Sequence, residues 1–490
     1  MSSVPAENAS GIVGYTAREL RRVLREIAGV TSDAAVAAAT GGARVVLGTA
    51  DAPDVRRLLA AGFVPAPTHQ QGYAMRAGAD PDDSRRTVLA LVGADAAGAL
   101  YALRDLEHYE REHLSRDADG RLAVTPFARA DHPRIEYRGH WVWGCNMPDK
   151  PAWMDNMSRW KLNELIHWDN YPPARAAEYV ALAHERGIRV VWGFGWGWVP
   201  AWNFTLPPEF DRGVGQGVEL CASSEFNQAF FRREIPRKVR ELYAPTGCDG
   251  IYFQAFTECP KCQCPRCAPR TMGELMLRFV NPIVDDLARE FPRLWIACGI
   301  HADFGTYDHL RDLDPRCSII WENCGAGTSV RGPDEDFGYI YKSIPYGHGF
   351  GKDCPADPPY TEASLRAWVA ETAARYAVPG GLETHRQYLH HLQGWARRFL
   401  AKPSPRKHAS VVADHSVFCR RTPFPHVALA EAQWNPDGDV AATVDGILAA
   451  LCTRAAVAAT LEPATPLRDP AGLPPWLVPA ATAAREGHDR

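Results

Sequence analysis

The chain has 490 residues, 46% of them hydrophobic and 23% charged, with a formal net charge of −4. That length exceeds one ordinary compact domain, and the near-balanced charge provides no broad basic face, so nucleic acid is not an expected partner. No apolar run reaches the roughly 18 residues that span a bilayer, and the opening MSSVPAENASG lacks the basic-then-apolar order of a secretory signal, so a cytoplasmic protein without membrane contact is expected.

Residues 1–132 read as a small α/β domain. Leu20, Leu24 and Ile27 recur at helical spacing and predict a helix over 15–27. ARVVLGTA (43–50) predicts a strand and 54–61 a short helix. Strands over 71–78 and 86–93 flank the turn cluster ADPDDS (79–84). Leu100, Leu103 and Leu106 then share one face of a helix over 98–109. Residues 130–139 read as a linker, with Pro133 imposing extension.

Beyond Arg138 the pattern becomes strand, helix, strand, helix. Strands are predicted at 140–144, 162–168, 189–196, 250–256, 294–300, 317–323, 409–415 and 427–434, with helices at 174–186, 225–243, 272–290 and 362–376. Most of these strands are continuous apolar runs, as in a parallel sheet covered by helices. Eight such units predict an α/β fold in which residues 133–453 form a (β/α)8 TIM barrel behind the small α/β domain. Residues 454–490, rich in Pro and Ala, read as a peripheral segment.

A barrel of this kind carries its site at the C-terminal ends of the strands. Strand one ends near Trp143 and Asn146, strand two at Trp168 and Asp169, strand three near Trp196 and Trp198. Strand four runs into Thr257 and Glu258, strand five into His301 and Asp303, and strand six into Trp321, Glu322 and Asn323. Trp434 ends the predicted eighth strand. Cleavage of a glycosidic bond needs one protonated carboxyl at the leaving oxygen and a second carboxylate across the sugar. Glu258 is the candidate acid, and Glu322 or Asp303 the candidate base. His301, Asn146, Asp169 and Asn323 are candidate substrate contacts. Trp143, Trp196, Trp198, Trp321 and Trp434 are candidate sugar-stacking surfaces, although aromatic rings equally fill large cores.

Segment 72–106 (GYAMRAGADPDDSRRTVLALVGADAAGALYALRDL) resembles the small α/β domain that precedes the barrel in glycoside hydrolase families 20, 67 and 84. The shared feature is a Gly-Tyr strand, an apolar strand, then a small-residue turn into Gly-x-x-Tyr on a helix. Segments 157–171 and 183–198 are similar to strands two and three of those barrels, and EAQWNPD (431–437) resembles the barrel's end. CDGIYFQAFTE (248–258) is similar to the strand-four motif of family 67 α-glucuronidases. That resemblance implies the acid role for Glu258 and an inverting reaction. Family 20 enzymes place Asp directly before the acid, where this chain has Thr257, which argues against chemistry assisted by a substrate N-acetyl group.

Cys259, Cys262, Cys264 and Cys267 follow Glu258 as C-x2-C-x-C-x2-C. Four thiolates so close suit a structural, tetrahedral Zn2+, and an iron–sulfur cluster is the lesser alternative because the spacing departs from the common runs. Cys221 and the other scattered cysteines read as small core residues. About eighty residues separate predicted strands six and seven, and their Gly- and aromatic-rich stretch 325–355 reads as a lid or binding loop. The expected function is glycoside hydrolysis on a carbohydrate substrate, with uronides and amino sugars both open. The competing readings are a non-catalytic carbohydrate-binding barrel and a metal-dependent barrel hydrolase or lyase. A homo-oligomer is left open.

Overall fold

The computed structural model describes residue 4 and residues 9–29, 43–143, 150–168, 171–197, 200–254, 260–301, 312–323, 338–341, several between 386 and 397, 410–414 and 423–451. Predicted helix 362–376 and segment 454–490 lie outside these residues.

The N-terminal unit is a four-stranded sheet. Its strands are β1 (Arg44–Thr49), β2 (Tyr73–Asp80), β3 (Asp83–Gly93) and β6 (Phe127–Asp131), in the order β1-β3-β2-β6. β1 runs parallel to β3, and β2 runs antiparallel to both β3 and β6. A separate short hairpin joins β4 (Leu114–Arg116) to β5 (Leu122–Val124). Helices Gly11–Ala28 and Ala96–His108 bury Leu20, Leu24, Leu100, Leu103 and Leu106 against one sheet face. Helix Pro53–Ala60 covers the other face through Val55 and Leu58. Each such side chain withdraws from water for about 1.5–3 kcal/mol.

The Gly-Tyr and Gly-x-x-Tyr signature has a packing explanation here. A Cβ on Gly98 would lie 2.1 Å from the Gly72 carbonyl oxygen, so only glycine lets the helix start approach β2 so closely. Asp95 caps that helix, accepting the Gly98 N–H at 2.8 Å and the Gln71 N–H at 2.8 Å. The signature therefore specifies this unit's architecture and no chemistry.

Residues 130–139, expected as a linker, are instead the end of β6 followed by the start of β7 (Tyr137–Trp143). β7 pairs with β8 (Glu164–Trp168), β8 with β9 (Arg189–Gly195), and β9 with β10 (Gly250–Gln254). The ring continues through β11 (Trp295–His301), β12 (Cys317–Asn323), β13 (Gly338–Tyr341) and β14 (Ser410–Asp414), and β14 returns to β7. All eight strands are parallel and the barrel is closed. Helices Lys150–Arg159, Ala176–Glu185, Glu225–Lys238 and Met272–Glu290 connect the early strands. Alternation along the strands sorts the core. Leu165, Val190, Trp192, Ile251, Phe253 and Ile296 pack outward with the helices. Ile166, Val191, Tyr252 and Ala297 form a second cluster inside the ring.

Two strand expectations fail. The seventh strand is Gly338–Tyr341, within the stretch expected to be a lid. Segment 427–434 is not the eighth strand but the end of helix Pro423–Trp434. A short apolar run does not distinguish a strand from a buried helix turn, and Pro423 with the alanines of HVALAEAQW favours the helix.

That helix carries Trp434 beneath the N-terminal sheet. Trp434 Nε1 donates to Asp131 Oδ2 at 2.9 Å, the Tyr101 ring meets it edge-on at 5.4 Å, and Lys161 Nζ lies 4.2 Å from its centroid. Trp434 is thus a wedge between the two units and not the floor of a sugar pocket. Around it, Lys161 Nζ donates to Asp105 Oδ1 at 2.6 Å, and Arg104 donates to Glu19 Oε2 at 2.8 Å and Ser158 Oγ at 3.3 Å. The interface is ionic, buried and stitched from both sides.

Candidate active site

The two ends of the barrel differ in chemistry. At the N-terminal end, Arg189 pairs with Glu164 at 3.3 Å and lies over the Tyr137 ring at 4.1 Å. Trp295 Nε1 donates to Ser318 Oγ at 2.9 Å just above. Asp249, the acid of the Asp-Gly pair that opens β10, also sits at this end. Its Oδ2 accepts the Val190 N–H at 2.8 Å and stands 2.8 Å from His184 Nε2. Burial raises the Asp249 pKa, but His184 and the Val190 N–H outweigh it and hold the carboxyl below its usual value. The Asp-Gly half of the strand-four motif is therefore a strand-start clasp.

Further along the strands, the lumen is aromatic. Trp141 and Trp168 meet at 5.7 Å, and Trp168 meets the Tyr252 ring edge-on at 5.6 Å. Gly193 makes this possible, since a Cβ there would lie 2.9 Å from Trp168 Cε3 and 3.1 Å from Tyr252 Cδ1. The Tyr252 hydroxyl is buried in the lumen and finds no hydrogen-bond partner. A buried hydroxyl without a partner costs about 1–3 kcal/mol, so this position favours a ligand that supplies one. Trp141 and Tyr252 were not among the residues singled out from sequence, and Trp168 was named only as the end of strand two. Their inward alternation on apolar strands was the available signal, and core filling obscured it.

At the C-terminal rim, the register sets His301 beside Glu322, Glu322 beside Ile340, and Asn323 beside Tyr341. Trp143 is the partner of Trp168, and Trp321 of Tyr339. The structure thus brings the strand-end positions Trp143, His301, Trp321, Glu322 and Asn323 onto one end of the ring. Glu258, Asp303, Asn146, Asp169, Trp198 and Cys259 lie outside the described residues. Trp196 does not belong to this rim surface. It is fully buried and packs against Phe231 at 4.7 Å and Phe279 at 5.2 Å, in the layer between strands and helices. Trp196 lies just past the last β9 residue, where the outer helices Glu225–Lys238 and Met272–Glu290 supply an apolar slot for it.

Beside the rim lies a thiol cluster with an unexpected member. The Sγ atoms of Cys221, Cys262, Cys264 and Cys267 all lie within 4.8 Å of one another. Cys221, expected to be an isolated core residue, is the fourth thiol of this group, contributed by the segment that follows β9. Nothing in the spacing C-x2-C-x-C-x2-C reveals a partner forty residues upstream. Burial raises the Cys221 and Cys262 thiols. Burial also raises Cys264, but the Cys267 and Arg266 N–H groups outweigh it and bring this thiol down to about 6. Among the described residues, this is the group of His, Cys, Asp or Glu whose geometry suits a metal ion.

No family model and no curated protein sequence matches this chain. Solved structures do. The chain is similar to a chitobiase from Flavobacterium johnsoniae, with a TM-score of 0.53 and 14% identity over 93% of this chain and 69% of that one. It is similar to a glycoside hydrolase family 20 β-N-acetylglucosaminidase, with a TM-score of 0.50 and 14% identity over 94% and 92% of the two chains. CpGH84B matches with a TM-score of 0.51 and 11% identity over 88% and 68%. At these identities the likeness is one of fold, an α/β architecture built on parallel strands.

Proposed function

We propose that the chain is a glycoside hydrolase working at the C-terminal mouth of its barrel, with Glu258 as the acid and Glu322 or Asp303 as the second carboxylate. The observation that carries this reading is the rim itself: His301 and Glu322 are register neighbours on adjacent strands, one end of the ring above an aromatic lumen. The other end carries the Arg189–Glu164 ion pair. Such a polar rim over an apolar floor suits a sugar, which offers hydroxyls at its edge and C–H surface on its face. In the proposed reaction Glu258 protonates the departing oxygen while the second carboxylate activates water or attacks the anomeric carbon.

The fold shared with a chitobiase and a β-N-acetylglucosaminidase supports an amino-sugar glycoside. Thr257, in place of the carboxylate that precedes the acid in family 20, supports a uronide instead. A panel of aryl N-acetylhexosaminides and aryl uronides separates these. On whichever is turned over, Glu258→Gln is expected to lower kcat by about 10²–10⁴-fold. Undiminished turnover by that variant removes the proposed acid, and binding of the sugars without turnover by the unaltered chain removes the enzyme.

A further inference from the structure

We propose that Cys221, Cys262, Cys264 and Cys267 hold one Zn2+ as a structural tetrathiolate that ties the segment after β9 to the segment after β10. Zinc bonded to four thiolates at about 2.3 Å demands sulfurs about 3.8 Å apart. Cys221 Sγ is 3.8 Å from Cys264 Sγ and 3.8 Å from Cys267 Sγ. None of the four is in a disulfide. Four sulfurs inside 4.8 Å leave room for one ion and not for a cluster of several irons, which spreads its thiolates wider. The set is complete without Cys259, because four thiolates close a tetrahedral shell.

The surroundings are built for thiolates. The Val214 N–H donates to Cys262 Sγ at 3.3 Å, and the Ser223 hydroxyl lies 3.2 Å from Cys267 Sγ. Backbone N–H groups of Ser223, Cys264 and Cys267 face Cys221, Cys262 and Cys264 in turn. The Arg266 guanidinium stands beside Cys264 and Cys221, where it offsets the net negative charge of a zinc tetrathiolate. Gly213 adopts φ +82°, and a Cβ there would lie 3.1 Å from Cys262 Sγ. The two segments meet again where the Gln263 N–H donates to the Val214 carbonyl at 2.8 Å.

β9 and β10 are neighbours in the ring, so the ion spans two adjacent loops on the C-terminal side of the barrel. The four thiols release their protons on binding, and the shell leaves no open position for water or substrate. The ion is a brace and takes no part in bond cleavage.

Elemental analysis of the full chain, purified without added metal, is expected to find about one zinc per chain. Mercurial titration of the thiols is expected to release that zinc to a chromogenic chelator. Cys221→Ser is expected to retain less than about a tenth of an equivalent, whereas Cys259→Ser retains the full amount. Cobalt exchanged into the site is expected to show the charge-transfer bands of a tetrahedral tetrathiolate, a readout that does not depend on any variant folding. Iron in place of zinc, absence of metal, or zinc lost from Cys259→Ser but kept in Cys221→Ser would each overturn the assignment. None of these readouts uses glycosidase activity.

Discussion

Tyr252 lies in the aromatic layer of the lumen, edge-on to Trp168. Its ring fits the lumen only because Gly193 has no side chain, and its hydroxyl is left buried and unpaired. Removing that hydroxyl takes nothing from the folded state, so Tyr252→Phe is expected to leave Tm unchanged or raise it. On the glycosidase reading, the same variant raises KM about fivefold, the equivalent of one lost hydrogen bond of about 1 kcal/mol. Steady-state kinetics and a melting curve on the same sample check both halves. A lower Tm with unchanged KM would show that the hydroxyl serves the core.

At the scale of elements, the Asp-Gly half of the strand-four motif has a structural task at the start of β10. Asp249 and Gly250 open the strand, and Asp249 clasps β9 through the Val190 N–H. Asp249→Ala leaves that N–H without its acceptor and is expected to cost about 1–3 kcal/mol of stability, measured by urea unfolding. The strand itself is legible because Ile251, Tyr252 and Phe253 form an apolar run bounded by Gly250 and Gln254. Helix Met272–Glu290 was equally legible, and its capping box of Thr271 and Glu274 explains its sharp start. Segment 427–434 was not, because a run with six apolar or small residues in eight satisfies either period and only burial beneath another sheet settles the choice. The seventh strand, with four residues, is too short to carry a pattern.

For the whole molecule, the junction between the N-terminal sheet and the barrel holds a group of buried charges. Lys161 and Asp105 are both almost fully buried, with Glu431 3.7 Å from the Lys161 ammonium. Lys161→Met keeps the volume but leaves buried Asp105 with Arg129 as its remaining cation, and is expected to cost about 3 kcal/mol in thermal or urea unfolding. His108 lies in the same junction, stacked on Trp160 at 4.0 Å. Burial pushes its pKa down to about 3, against the pull of Glu107 and Asp105 and together with Arg104 and Lys161. The unfolded chain, with an imidazole near 6.5, takes up the proton first, so stability is complete above about pH 6.5 and falls as pH drops toward 3. Between pH 7 and pH 5 the loss from this group is about 2 kcal/mol. Urea midpoints at the two pH values are expected to converge in His108→Phe, and an unchanged gap would place the titration elsewhere.

Sequence alone determined the alternation of strands and helices, the preceding small α/β unit, the acid near the end of strand six, and a cysteine-rich loop after strand four. Those features are local, written in runs of apolar residues and in spacings of a few positions. Only the tertiary structure decided that Cys221 completes the thiol group, that Trp196 and Trp434 fill interfaces, and that Trp141, Trp168 and Tyr252 share the lumen. These are contacts between segments far apart in the chain. Each local pattern is compatible with several such pairings, and the closure of the barrel and the packing of its neighbours select one.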